Sequence, residues 1–475
     1  MASRSPQRPN VLFILSDDQG AWAMRCAGND DIITPSLDSI AASGVRFTDF
    51  FCTSPVCSPA RASLLTGEIP SCHGVHDWIR DGNVGPGRID YLDRHPLLTD
   101  LVADAGYRCG LVGKWHLGAS DVPRKGYVKW FAHQSGMSPY YDAPMLDERT
   151  PVKVPRYLTD ELTDHALAFL DDEAPREDPF WLSLNYTAPH YPWIDSHPKA
   201  YTDLYAACAF DSCPQEAPHP YSATGNPATD EGHLRPRESL IGYYASMTAM
   251  DAGIARVLDR LAALGLREST LVIFMSDNGM NCGQHGIWGK GNGTRPQNMY
   301  DTSVKVPCLF AQPGRIVPGV RDELLSGYDV FPTLLDYLGI DDARGKERPG
   351  RSFRSLLSGD PAIDDSEVVV YDEYGPVRMM RTREWKYVHR YPDGPHELYH
   401  LARDPGERSN LSGDPGAAVP LTQLRARLDA WFARFVEPAF DGAHPYITGC
   451  GQLNRMPVTG AVTDVFADVP IAALR

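Results

Sequence analysis

The sequence predicts an α/β fold: a large mixed, mostly parallel sheet between helices, followed by a smaller C-terminal antiparallel sheet plus helix. Three observations carry that reading. Four short apolar runs rich in β-branched and aromatic residues, at 11–15, 108–113, 180–185 and 271–276, have the continuous apolarity of strands covered on both faces. Helical stretches separate them, and strand–helix–strand alternation builds a doubly wound layer. From about 366 the pattern changes to short runs at 367–371, 377–381 and 385–389 joined by turns, then a helix at about 418–435, which reads as an antiparallel sheet with its cover.

Taken in order, the run 11–15 ends at Asp17-Asp18. Residues 97–105 have helical character and stop at Gly106, a suitable C-cap. The segment from about 195 to 237 is rich in Pro, Ser, Asp and His without periodicity, which predicts a long surface excursion and a candidate lid. Residues 238–264 carry apolar positions at helical spacing before Gly265. The run 271–276 ends at Asp277-Asn278-Gly279. The expected division is a catalytic domain at 1–365 and a C-terminal α+β subdomain at 366–475. In parallel α/β sheets ligands gather at the carboxyl ends of strands, where both acidic clusters stand.

The 475 residues are 43% hydrophobic and 22% charged, enough for a large core. A net charge of -16 argues against a nucleic-acid surface, so an anionic substrate needs a local cationic pocket. The N-terminal stretch reaches only five apolar residues in a row, and no run is long enough to span a membrane, so the expected location is cytoplasmic, with secretion open if a leader was trimmed. Ten cysteines show no zinc-type pairs and read mostly as buried thiols, with Cys208 and Cys213 close enough to bond.

Asp17, Asp18, Asp277 and Asn278 offer three carboxylates and an amide oxygen, a hard donor set suited to Ca²⁺ or Mg²⁺ rather than zinc. Either pair alone reads first as turn or N-cap residues, as Asp and Asn commonly are.

The run Cys57-Ser58-Pro59-Ala60-Arg61-Ala62-Ser63-Leu64-Leu65-Thr66-Gly67 is the sharper signal. It resembles the signature of type I sulfatases, where Cys-x-Pro-x-Arg directs oxidation of the cysteine to formylglycine by a formylglycine-generating enzyme. Similar blocks follow at 8–18, 106–118, 188–190, 276–279, 286–290, 299–307 and 397–405, in family order. The resemblance implies an alkaline-phosphatase-like fold and calcium held by Asp17, Asp18, Asp277, Asn278 and the modified Cys57. It further implies Arg61 supporting the nucleophile, Lys114 and Lys290 on the sulfate oxygens, His190 protonating the leaving alcohol and His116 accepting a proton from the second hydroxyl. The register of Lys290 crosses a variable loop, with His285 as an alternative polar contributor. Asp301 stands where many relatives carry Glu.

His76, Asp77, Trp78 and Arg80 lie close in sequence to the nucleophile and are candidates to line a substrate pocket, with Trp78 as a face for a sugar ring. Similarity to carbohydrate sulfatases favours a sulfated sugar. The alternatives are a phosphonate or phosphate ester hydrolase of the same fold, and a relative that binds glycans without maturation of Cys57. The oligomeric state stays open.

Overall fold

A computed structural model describes residues 8–342, 347–360, 370–445, 447–458 and 464–468. Ten strands form one sheet: β1 (Asn10–Ser16), β2 (Val45–Phe47), β3 (Arg108–Gly113), β4 (Tyr127–His133), β5 (Ala143–Asp147), β6 (Thr150–Val154), β7 (Phe180–Asn185), β8 (Thr270–Ser276), β9 (Cys308–Ala311) and β10 (Gly319–Arg321). Their spatial order is β10-β2-β9-β8-β1-β7-β3-β4-β5-β6. The centre, β8-β1-β7-β3-β4, is parallel throughout. Antiparallel pairings flank it through β9 on one side and β5 and β6 on the other.

The period of two along β1 shows why this run had to be apolar on both sides. Leu12 and Ile14 enter one core with Leu162 and Leu170 of the helix Leu158–Glu173 and with Met247 and Ile254 of the helix Pro236–Ala263. Val11, Phe13 and Leu15 enter the opposite core with Phe331 and Leu334. Each such side chain contributes roughly 1.5–3 kcal/mol on burial, against the entropy of ordering the chain.

The smaller sheet is antiparallel in the order β11 (Val370–Tyr374), β12 (Val377–Arg381), β13 (Trp385–Arg390), β14 (Glu397–His400). Alternation again assigns its faces. Met379 joins the core of Phe331 and Leu334, whereas Met380 meets Leu424, Leu428 and Phe432 of the covering helix Ala418–Phe435. The expected strand 367–371 is described only from Val370, its first three residues lying outside the described ones.

Helix 97–105 is narrower than expected, Leu98–Asp104, and caps on Ala105 one residue before Gly106 takes a φ of 95°. The 238–264 helix starts at Pro236, whose fixed φ suits the first turn. The segment 195–237 departs most from expectation: Tyr205, Phe210 and Cys213 are buried in the main core, and Pro227–Leu234 is a helix. Cys208 and Cys213 are both free thiols. Among the described residues no helix is long and apolar enough to cross a membrane.

Candidate active site

The register of the central strands assembles the site. Ser16 pairs with Ser276, so the residues that follow, Asp17-Asp18 and Asp277-Asn278, emerge side by side at the carboxyl edge. The backbone amide of Asp277 donates to Ser16 O at 3.2 Å. Asp18 holds a φ of 64°, a left-handed conformation uncommon for a residue with a Cβ. Next to β1 in the sheet, β7 leads to His190, and beyond it β3 ends at Gly113. A Cβ at Gly113 would stand 1.9 Å from Asn185 O, so only glycine lets the chain pass from β3 to Lys114.

Cys57 is the first residue of a helix, Cys57–Thr66, that ends on Gly67 with a φ of 68°. Arg61, one turn on, shares its face. Ser58 fixes the start of this helix: its hydroxyl donates to His116 O at 2.9 Å and accepts from Ile79 N at 2.9 Å. The cysteine, the arginine and the histidine loop are thereby tied together.

Ligand atoms of Asp17, Asp18 and Cys57 lie within 4.8 Å of one another, all buried. Arg61 grips Asp277 Oδ2 with Nε and Nη2, both at 2.9 Å, and donates to Lys114 O at 3.0 Å. Lys114 pairs with Asp17. Lys290 pairs with Asp18, and its ammonium is 3.0 Å from Cys57 Sγ. His190 donates from Nδ1 to Tyr191 O at 2.6 Å, leaving Nε2 to face Asp18 Oδ2 at 3.6 Å. His116 donates from Nε2 to Ile79 O at 2.9 Å, because a carbonyl only accepts. Its Nδ1 therefore carries the lone pair, and that atom is buried without a hydrogen-bond partner among the described residues.

Burial works against the carboxylates, but Lys114, His190 and Arg61 together hold Asp17 below the usual carboxylate range, and Lys290 and His190 do the same for Asp18. Asp277 moves the other way, raised by burial and by Asp17 despite Arg61. Burial also raises the Cys57 thiol, over the opposing pull of Lys114 and Lys290. Unmodified, Cys57 is a neutral thiol and a poor nucleophile. His116 is pushed well below its ordinary range by burial and Lys114, so it stays neutral.

The donor set fits a hard divalent cation. Asp17 Oδ1 and Asn278 Oδ1 are buried without hydrogen-bond partners among the described residues. The Asn278 amide nitrogen is already committed, donating to Asp18 Oδ1 at 2.8 Å and Gly279 O at 2.9 Å, so its oxygen is the free end. Orphaned buried oxygens beside further carboxylates are what Ca²⁺ or Mg²⁺ satisfies.

These groups open into a cavity of about 300 Å³ whose lining includes Asp18, Cys57, His116, His190 and Lys290. Of the candidate substrate residues Trp78 lines it; His76, Asp77, Arg80 and His285 do not. His76 is fully buried and donates to Phe440 O at 2.7 Å. Asp77, also buried, accepts from Tyr374 Oη at 2.6 Å and Gly451 N at 3.0 Å. Arg80 reaches Cys450 O at 3.3 Å. His285 stacks on Tyr300 with ring centres 3.9 Å apart, so Lys290 and not His285 serves the site. Asp301 also stays outside, binding Lys386 of β13 at 2.5 Å, where Glu407 supplies a second carboxylate to the same ammonium.

Sequence reasoning missed Gly136, Met137, Tyr191, Trp193, Asn292, Arg295 and Cys450, all of which line the cavity. Gly225 to Ala228 line it too.

Comparison with known proteins finds a sulfatase family model matching residues 9–340, and one described as N-sulphoglucosamine sulphohydrolase, C-terminal, matching 283–433. The ulvan-active sulfatase of Formosa agariphila is 31% identical, over 89% of this chain and 81% of its own length. The choline-sulfatase of Rhizobium meliloti is 28% identical, over 92% and 88%. A solved complex with D-glucosamine-2-N,6-O-disulfate superposes with a TM-score of 0.78 at 22% identity, covering 92% of this chain and 100% of that one.

Proposed function

Since this chain belongs to the type I sulfatase family and is a sulfuric ester hydrolase, we propose that it removes sulfate from a sulfated carbohydrate, using formylglycine made from Cys57 by a separate maturation enzyme. One observation carries the reading. Cys57, with a thiol too buried to ionise, sits at the meeting point of three carboxylates, two lysines and two histidines. As an unmodified residue it has no chemistry to offer there. Oxidised, its hydrate presents two hydroxyls on one carbon, one to attack sulfur and one to expel the sulfate and restore the aldehyde.

The residues divide the work by position. Asp17, Asp18, Asp277 and Asn278 would hold calcium or magnesium, which would supply positive charge to acidify the nucleophile and offset the charge of the sulfate group. Lys290, 3.0 Å from the Cys57 side chain, and Lys114 place positive charge where the sulfate oxygens gain negative charge. Arg61 holds Asp277 in place through its two 2.9 Å contacts. His190, its Nδ1 fixed as a donor, exchanges a proton at Nε2 with the leaving alcohol. His116 offers Nδ1 as the acceptor for the second hydroxyl. The carbohydrate reading is supported by Trp78 on the cavity wall and by relatives named for ulvan and N-acetylglucosamine-6-O-sulfate.

The test is product release from monosulfated sugars and 4-nitrophenyl sulfate, beside 4-nitrophenyl phosphate and a phosphonate monoester, with protein of checked Cys57 conversion. Sulfate release from the sugars is expected. Faster turnover of the phosphorus esters would overturn the proposal.

A further inference from the structure

Arg295 is the feature of the cavity that sulfate ester hydrolysis at Cys57 does not explain. It lines the same cavity as Cys57 and Lys290, yet lies in the loop after Lys290. Its guanidinium makes one side-chain hydrogen bond, from Nη2 to Cys450 Sγ at 2.8 Å, and its Nε is buried without a partner among the described residues. A thiol is a weak acceptor and carries none of the charge. No carboxylate among the described residues pairs with Arg295. The nearby candidate, Asp77, is already held by Tyr374, Gly451 N–H and Trp78 N–H. The lining carboxylate, Asp18, is taken by Lys290 and Asn278.

The loop carrying Arg295 is tied to its neighbours by hydrogen bonds. Its backbone N–H donates to Tyr221 O at 2.8 Å, and Asn298 Nδ2 donates to Lys290 O at 2.9 Å. The guanidinium itself is anchored at the cavity wall by its bond to Cys450 Sγ. A half-buried arginine with unused donors and no carboxylate in contact, which feels the charge of Asp77 only at longer range, is suited to bind an anion.

We propose that Arg295 binds a second anionic group on the substrate, a carboxylate or a further sulfate, so that the preferred substrate is a sulfated sugar carrying at least two negative charges. This rests on the sulfatase reading above and adds the substrate class. It also sets the cavity against a cationic sulfate ester such as choline sulfate, whose trimethylammonium would meet a guanidinium.

The experiment reads competition with 4-nitrophenyl sulfate hydrolysis by sugars in matched pairs. One pair is N-acetylglucosamine 6-sulfate and glucosamine 2-N,6-O-disulfate; the other is a monosulfated disaccharide with and without a uronate carboxylate. In the native enzyme the member with the second anion inhibits at lower concentration. In Arg295→Gln the apparent Ki of that member rises at least tenfold more than its partner's, equivalent to about 1.4 kcal/mol, and Arg295→Lys recovers part of it. The pair that responds tells sulfate from carboxylate. Equal shifts for both members of both pairs, or a native preference for the singly charged members, would overturn the assignment. No hydrolysis of 4-nitrophenyl sulfate by converted enzyme would instead bring down the sulfatase reading itself.

Discussion

Gly136 offers the sharpest test of the role given to His116. A Cβ added at this position would stand 1.9 Å from His116 Nε2 and 2.0 Å from Cε1. Ordinary contact needs about 3.5 Å, so in Gly136→Ala the ring must retreat by roughly 1.5 Å. That movement breaks the 2.9 Å bond to Ile79 O, which fixes the tautomer and leaves Nδ1 as the acceptor. The ring has little freedom to compensate, because His116 itself holds a φ of 56° and its carbonyl is bound by Ser58. Displacing a catalytic group by about 1 Å costs on the order of a hundredfold in rate. Overpacking costs about 1–3 kcal/mol of stability. With an unfolding entropy of roughly 2.1 cal/mol/K per residue, that lowers Tm by only about 1–3 °C in a chain of this length. The expected result is a kcat on 4-nitrophenyl sulfate down about a hundredfold, with Tm nearly preserved. A kcat within threefold of the parent would refute the role of His116, and a rise in KM alone would mean that the methyl only narrows the cavity.

Further expectations follow from the same geometry. Cys57→Ala abolishes sulfate release while circular dichroism and Tm stay close to the parent, and measurable turnover by that variant would sink the nucleophile assignment. Asn278→Ala removes one of the two orphaned oxygens, so calcium titration monitored by Tm shows weaker binding, roughly tenfold or more; an unaltered titration would take Asn278 off the ligand list. His133 is buried with its pKa pushed down to about 3 by desolvation, Lys114 and Arg61. Its folded form refuses the proton that the unfolded chain takes up near pH 6.5, so the stability it contributes is present above that pH and lost as pH falls toward 3. Urea unfolding of the parent and His133→Gln at pH 7 and pH 5 should show the parent losing about 2 kcal/mol more than the variant; equal losses would contradict a neutral buried His133.

Four of the five central strands, β8, β1, β7 and β3, were legible because parallel strands covered on both faces are apolar without interruption, whereas β4 was missed because its first half, Tyr127 to Lys129, is partly exposed and breaks that run. The site residues on strand ends were legible for a related reason: Asp17 and Asp277 are fixed by strand register, and they sit two residues and one residue past runs that declare themselves. The pocket wall was not. His76 and Asp77 looked available because they are polar and near Cys57, but Gln452, Phe440 and Tyr374, between 297 and 376 residues away in sequence, bond to them and bury them. The same closure of the C-terminal chain brings Cys450 to Arg295, and nothing local to either position announces it. Tyr205, Phe210 and Cys213 escaped notice because single apolar residues in a polar, aperiodic segment carry no pattern, although each plugs the core.

The central claim is that catalysis resides in an oxidised Cys57, and the measurement that tests it most directly pairs two readings on the same samples. Preparations matured to different extents are assayed for sulfate release, and the peptide containing Cys57 is weighed to give the fraction in which the thiol has been exchanged for an aldehyde oxygen. Turnover should rise in proportion to that fraction and extrapolate to zero where every Cys57 remains a thiol. Equal turnover across the series, with Cys57 unconverted in some members, would contradict the account.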